Sequence, residues 1–204
     1  DYEQQAKTAV YVADRRGVIG ILAIADPLRP EAITAIASLR GMGIRTLMLS
    51  GDAEAVAAAI GQQAGVDEAR GGVQPEGKAA AIKALHAAGR VVGMIGDGIN
   101  DAPALAVADV GIAMGTGTDI AMETAGITLM RPDPRLVAAA IDISRATFSK
   151  IRQNLFWAFI YNLVGIPAAA LGYLSPALAG AAMAMSSVSV VCNSLLLRRW
   201  RPRQ

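Results

Sequence analysis

Two stretches near the end of this 204-residue chain carry no charge over the thickness of a membrane. Residues 155–174, LFWAFIYNLVGIPAAALGYL, run 20 positions without Asp, Glu, Lys, Arg or His, and residues 177–197, ALAGAAMAMSSVSVVCNSLLL, run 21. At about 1.5 Å per residue, each helix would span roughly 30 Å, the hydrocarbon core of a bilayer. Only Ser175-Pro176 separates them, which predicts a tight reversal. Arg145, Lys150 and Arg152 precede the pair, and Arg198, Arg199, Arg201 and Arg203 follow it. By the positive-inside rule both ends face the cytoplasm. A buried core hairpin of a soluble protein is the alternative, and it does not account for the basic flanks. Hydrophobic residues at 53% and a mean hydropathy of +0.40 agree with a membrane segment.

The rest of the composition mainly excludes. A net charge of +2 is too small for a general nucleic-acid binder. The single cysteine, Cys192, rules out a disulfide framework within the chain. It matches no ligand pattern and reads as a small buried residue. The opening DYEQQAK has neither an initiator Met nor a signal peptide, so the chain reads as a piece of something longer.

Ahead of the uncharged runs the pattern is α/β. TAVYVA and GVIGILAIA flank the turn signal Asp14-Arg15-Arg16-Gly17, predicting a β-hairpin within residues 1–25. Asp26-Pro27-Leu28-Arg29-Pro30 breaks it and reads as a hinge. Then helix-like EAITAIASLRGMG leads to the strand TLMLS (46–50). EAVAAAIGQQAG, closed by Gly65, and EGKAAAIKALHAAG, also ended by glycine, are helices. VVGMI (91–95), VGIAM (110–114) and ITLM (127–130) read as strands, with a helix near DIAMETA. Strands that are apolar throughout and alternate with helices predict a parallel sheet covered on both faces. Ligands then bind beyond the strands' carboxyl ends. Residues 136–154 are helix-compatible and lead towards the membrane.

Two such strand ends carry chemistry. Gly96-Asp97-Gly98-Ile99-Asn100-Asp101 follows VVGMI, and Ser50-Gly51-Asp52 follows TLML. Phosphoryl transfer needs a cation and fixed donors around the phosphate. Magnesium prefers carboxylate oxygen and keeps several waters. Asp97, between two glycines, is placed as the Mg²⁺ ligand, and Asp101 would hold a metal-bound water from the next helix. The Ser50 hydroxyl and the mobile ammonium of Lys78 suit a phosphate oxygen. An isolated GDG would be only a turn; here several elements agree in order and context. His86, the one histidine, has no partner among its sequence neighbours and reads as an exposed helix residue.

Ser50-Gly51-Asp52, Pro75-Glu76-Gly77-Lys78 and Gly96-Asp97-Gly98-Ile99-Asn100-Asp101-Ala102-Pro103 together resemble the phosphorylation domain of P-type ATPases, within the haloacid-dehalogenase-like superfamily. The family more often has Thr at the position of Ser50; serine keeps the hydroxyl. The resemblance implies an α/β, Rossmann-like parallel sheet followed by a two-helix transmembrane hairpin. It implies that Asp97 coordinates Mg²⁺ with support from Asn100 and Asp101, and that Ser50 and Lys78 contact an aspartyl phosphate. It further implies that Gly51, Asp52, Gly96 and Gly98 belong to the cofactor-binding loops. Residues 1–25 would be the last hairpin of the nucleotide-binding domain and 26–135 the phosphorylation domain. Residues 136–154 would connect to membrane helices at 155–174 and 177–197, and 198–204 would form a basic cytoplasmic tail.

The family's phosphorylated aspartate sits in Asp-Lys-Thr-Gly-Thr, and none of the four lysines here follows an aspartate. His86 precedes Ala87, so the His-Pro pair of heavy-metal pumps is missing too. The resemblance places the nucleophile's strand between those ending at Ser50 and Gly96. The sheet is therefore expected to lack its middle strand, with the nucleophile upstream of Asp1.

Neither uncharged run offers the carboxylates that a hard dication wants. Met183, Ser186 and Ser187 lie at i, i+3 and i+4 on a helix, and thioether sulfur favours Cu⁺. Met as a gap filler and Ser as a close-packing residue are the alternative. Tyr161-Asn162 with Met183-x-x-Ser186-Ser187 resembles the last two membrane helices of copper-exporting pumps, the monovalent heavy-metal subclass. That likeness puts Tyr161, Asn162, Met183 and Ser187 or Ser186 at the transport site, with Ag⁺ not separable from Cu⁺. Its further implications are ATP as fuel, at a nucleotide site largely outside this chain, a bilayer and a copper chaperone as partners, no nucleic acid, and a multi-pass place in the cell's inner membrane with the soluble part cytoplasmic. Pro167 is expected to free the Leu163 carbonyl and kink the first helix. Two other readings stay open: a membrane-anchored phosphatase of the same superfamily, and a non-catalytic hairpin that regulates a pump.

Overall fold

A computed structural model describes residues 7–24, 27–115 and 118–202. Asp26 of the expected hinge, and residues 1–6 and 25 of the expected hairpin, lie outside them. The chain divides into two compact units, Asp1–Ala138 and Ala139–Gln204.

In the first unit, β1 (Thr8–Asp14) and β2 (Gly17–Ile24) pair antiparallel around Arg15-Arg16. Asp14 makes this turn by accepting from the Arg16 and Gly17 amides at 2.7 and 3.1 Å. Gly17 sits at φ +135°, closed to side-chain-bearing residues. The hairpin leaves apolar residues of both faces exposed, among them Tyr11, Val18, Ile19 and Leu22. Two strands alone cannot bury their own apolar faces.

The helices α1 (Pro30–Gly41), α2 (Glu54–Ala64) and α3 (Pro75–Ala87) fall where the periodicity places them. Gly65 ends α2 in the left-handed conformation at φ +80°. Strand β3 (Leu47–Leu49) pairs in parallel with β4 (Glu68–Arg70), a strand the sequence pattern does not announce. Its Glu68 and Arg70 are exposed and ion-paired at 2.7 Å, as suits a charged edge. Strand β5 (Gly93–Gly96) begins two residues later than VVGMI suggests, because the Val92 amide is taken by the Asp109 carboxylate at 2.7 Å. It pairs in parallel with β6 (Val110–Met114), which pairs with β7 (Ile127–Leu129). The short helices α4 (Ala102–Val107) and α5 (Asp119–Thr124) pack Leu105 and Ala121 on Ala113 of β6.

The parallel sheet is therefore in two pieces. Among the described residues β3–β4 and β5–β6–β7 are not hydrogen-bonded to each other. One edge of β3 and one of β5 carry unpaired backbone groups, and Ile95 of β5 is 42% exposed. The expectation is a sheet lacking its middle strand, and the split separates the strand leading to Ser50 from the strand ending at Gly96.

At the other end of β3, Asp67 accepts from the Thr46 amide and hydroxyl at 2.8 and 2.9 Å and from Arg40 at 2.9 Å. Those bonds, the backbone one foremost, lower its pKa to about 2. His86 also differs from expectation. It meets Asp109 at 2.9 Å, a residue 23 positions away and so invisible to its sequence neighbourhood.

In the second unit lie most of α6 (Arg135–Ala170) and all of α7 (Pro176–Leu195), which runs into a 3-10 turn to Arg199. No break separates 136–154 from 155–170, and α6 continues as one helix through Pro167. It ends at Ala170 and is closed by Gly172, φ +77°, with the Tyr173 amide donating to the Ala168 carbonyl, so the reversal takes residues 171–175. Only Pro176–Arg199 among the described helices is long and apolar enough to cross a membrane. The uncharged part of α6 stops at Ala170, about 24 Å of helix, and includes Tyr161 and Asn162.

The two helices meet along half-buried positions: Asn154, Ala158, Tyr161, Gly165 and Ala168 on α6, and Ala179, Ala182, Ser186, Ser189 and Asn193 on α7. At one end of this seam the half-buried residues are small: Gly165 and Ala168 on α6, Ala179 and Ala182 on α7. A polar ladder fixes the other: Lys150 Nζ to Asn193 at 2.9 Å, Asn193 to Asn154 at 2.8 Å, and Asn154 to Ser194 at 2.8 Å.

Candidate functional site

Asp101 is the one buried charged residue among those described, 8% exposed. A charge out of water needs a partner. Lys78, in the first turn of α3, supplies it with Nζ 2.7 Å from Oδ1. The other carboxylate oxygen accepts from the Asp97 amide at 3.3 Å. Three predicted residues, Asp97, Asp101 and Lys78, are thus brought together at the carboxyl end of β5.

The two glycines of the loop differ in what they do. A Cβ on Gly96 would lie 2.6 Å from the Asp101 Cβ and 2.8 Å from its Oδ2, whereas one on Gly98 meets nothing closer than 3.9 Å. Gly98 has φ −114°, an ordinary value. Gly96→Ala is expected to turn Asp101 away from Lys78 and cost about 1–3 kcal/mol, with Gly98→Ala within about 0.5 kcal/mol of wild type. Thermal unfolding of the two variants measures the difference, and equal losses would contradict it.

Asp97 itself is exposed, and its carboxylate has no hydrogen bond or ion pair among the described residues. Its carbonyl accepts from the Thr118 amide at 3.0 Å, which ties the loop to the start of α5 and which the sequence did not reveal. No group of three or more His, Cys, Asp or Glu converges among the described residues. The open carboxylate of Asp97 is a donor of the kind magnesium accepts, since that ion takes one or two carboxylates and completes its shell with water and phosphate oxygen. Asn100 is exposed in the 3-10 turn beside Asp101.

Ser50 stands at the end of the other half-sheet. Its hydroxyl donates to Asp52 at 2.7 Å, and its backbone bonds Arg70 and Val73 at 2.9 Å each. Glu54, which sequence reasoning passed over, accepts from the Gly71 amide at 2.7 Å. Gly71 must be glycine, since a Cβ would stand 2.5 Å from the Glu54 Cα. Gly51 is exposed, with only the Val73 carbonyl near it.

The five residues read as an ion site divide between two surfaces. Tyr161 and Ser186 lie on the α6–α7 seam, and Tyr161 meets Ser189 at 3.4 Å. Asn162, Met183 and Ser187 are exposed; Asn162 and Ser187 bond carbonyls of their own helices, those of Ala158 and Met183. Ser187, not Ser186, shares the open face of Met183. Cys192 is exposed rather than buried.

The haloacid dehalogenase-like hydrolase family matches residues 1–109. Over 98% of its length the chain is 52% identical to a probable copper-importing P-type ATPase A of Enterococcus hirae and 53% identical to a copper-exporting P-type ATPase of Staphylococcus aureus. It spans only 28% and 25% of those relatives, about a quarter. Among solved structures it is similar to a zinc-transporting PIB-type ATPase in an E2.Pi state, with TM-score 0.85 and 38% identity over 96% of this chain and 32% of that one. Half-sheet, buried ion pair and sequence agree: the chain belongs to the haloacid dehalogenase-like hydrolase family, with P-type heavy-metal ATPases as its near relatives.

Proposed function

We propose that this chain is the Mg²⁺-binding part of a phosphorylation domain, with an ion-bearing membrane hairpin, of a copper-exporting P-type ATPase in the inner membrane. The observation that carries the reading is the Lys78–Asp101–Asp97 cluster at the open edge of a split sheet. Likeness to copper pumps along nearly the whole chain supports it. Mg²⁺ held by Asp97 would neutralise charge on a phosphoryl group between the half-sheets. Asp101 holds the Lys78 ammonium beside that position and, through the Asp97 amide, fixes the loop that carries the ligand. The Ser50 hydroxyl, released from Asp52, donates to a phosphate oxygen. The cytoplasmic placement of the soluble part, ATP as fuel and a copper chaperone as partner belong to the same proposal.

Copper rather than zinc is the proposed cargo because the uncharged runs hold thioether, hydroxyl and amide groups and no carboxylate. Export follows the Staphylococcus relatives; the Enterococcus relative bears the opposite direction in its name at similar identity. ATP hydrolysis by the whole transporter in proteoliposomes tests the cargo: Cu⁺ and Ag⁺ are expected to stimulate it. Stimulation by Zn²⁺ alone would overturn the assignment.

A further inference from the structure

On α6, the face turned away from the α7 seam carries a shallow open groove of about 490 Å³ between Arg145, Phe148, Arg152, Phe156 and Trp157; its remaining lining residues are neutral. The positions recur at i, i+3/i+4, i+7 and i+11/i+12, four successive turns of one side. They straddle the point where charge ends in the sequence, just before Leu155. Phe148, Phe156 and Trp157 are exposed, and the last two rings pack edge to face at 5.7 Å.

The charge balance is one-sided. Residues 139–204 hold seven Lys or Arg and a single acid, Asp142. Asp142 accepts from the Trp200 indole at 2.9 Å. Arg145 and Arg152 have no carboxylate partner among the described residues, so two guanidinium groups about two helical turns apart share the groove with exposed rings. Guanidinium matches phosphate oxygens in bidentate fashion. Aromatic rings settle at the level where headgroups meet acyl chains. We propose that this face binds the headgroup of an anionic phospholipid of the cytoplasmic leaflet, with Arg145 and Arg152 on the phosphate and Trp157 against the upper acyl chain. The site rests on the reading that the uncharged part of α6 lies in a membrane.

Trp157 reports directly on it. The chain is reconstituted in bilayers in which either phosphatidylglycerol or phosphatidylcholine, as the minority lipid, carries brominated acyl chains. Trp157 emission is taken as the difference between wild type and Trp157→Phe. Brominated phosphatidylglycerol is expected to quench at a mole fraction up to about 25-fold lower, about fivefold for each of the two arginines at low salt. The Arg145→Gln/Arg152→Gln double variant is expected to lose the preference while remaining in the membrane. Equal quenching by both lipids overturns the headgroup site and leaves the membrane reading intact. No quenching in a chain that stays membrane-bound means another protein segment covers the face, which also overturns the site. No quenching in a chain that leaves the membrane overturns both readings.

Discussion

Incubated with labelled ATP and Mg²⁺, the 204-residue chain alone is expected to form no acyl-phosphate, at least about 10⁶-fold below a competent pump. Each carboxylate near the site already has other work. Asp101 is buried against Lys78 and holds the Asp97 amide, so attack from it would strand a desolvated ammonium. Asp52 accepts the Ser50 hydroxyl. Asp97 is exposed and, among the described residues, its carboxylate is unpaired, but it is the carboxylate proposed to take the metal.

The backbone points the same way. Among the described residues β3 and β5 each keep one unpaired edge where the sheet splits, and the candidate loops follow at their carboxyl ends, Ser50 after β3 and Asp97 after β5. A further parallel strand there would satisfy both edges, cover Ile95, and deliver its own carboxyl-terminal residue between Ser50 and Asp97. The complementary experiment supplies a peptide with an apolar strand followed by Asp-Lys-Thr-Gly-Thr, and label is expected on the peptide. Labelled inorganic phosphate takes the place of ATP there, because most of the nucleotide-binding domain is not in these residues. A stable acyl-phosphate on the chain by itself would overturn the assignment of roles, and Asp101→Asn and Asp52→Asn would then show which residue carries it.

Much of this is legible in the sequence, and for identifiable reasons. Gly65 and Gly89 punctuate α2 and α3 in the sequence and hold positive φ in the structure. GDGIND is a local motif, so its position after an apolar run sufficed to place it. What escaped was non-local or short. Strand β4 is Glu-Ala-Arg, too polar and brief for any periodicity to mark. The His86–Asp109 and Lys78–Asp101 pairs each join residues 23 positions apart, and only the packing of α3 beside its neighbours unites them. Spacing put Met183, Ser186 and Ser187 on one face; the seam then divided them, because Ser186 continues the half-buried series from Ala179 and Ala182.

That division makes Met183 the sharpest test of the membrane half. In the whole transporter, Met183→Ala and Met183→Leu are each expected to reduce copper-stimulated ATP hydrolysis by at least about 100-fold. Phosphorylation from inorganic phosphate, which needs the soluble site and no bound copper, is expected to remain. The side chain is 72% exposed on α7, so neither substitution removes core packing in this unit. Leucine is the stricter variant: it keeps volume and apolarity and deletes only the sulfur. A transporter that works with leucine but not alanine uses Met183 as filler, and its copper ligands lie elsewhere. One that fails with both, yet still takes phosphate, binds its ion through the thioether. Ser187→Ala, on the same open face, is then expected to weaken copper stimulation more than Ser186→Ala, whose position lies along the seam with α6.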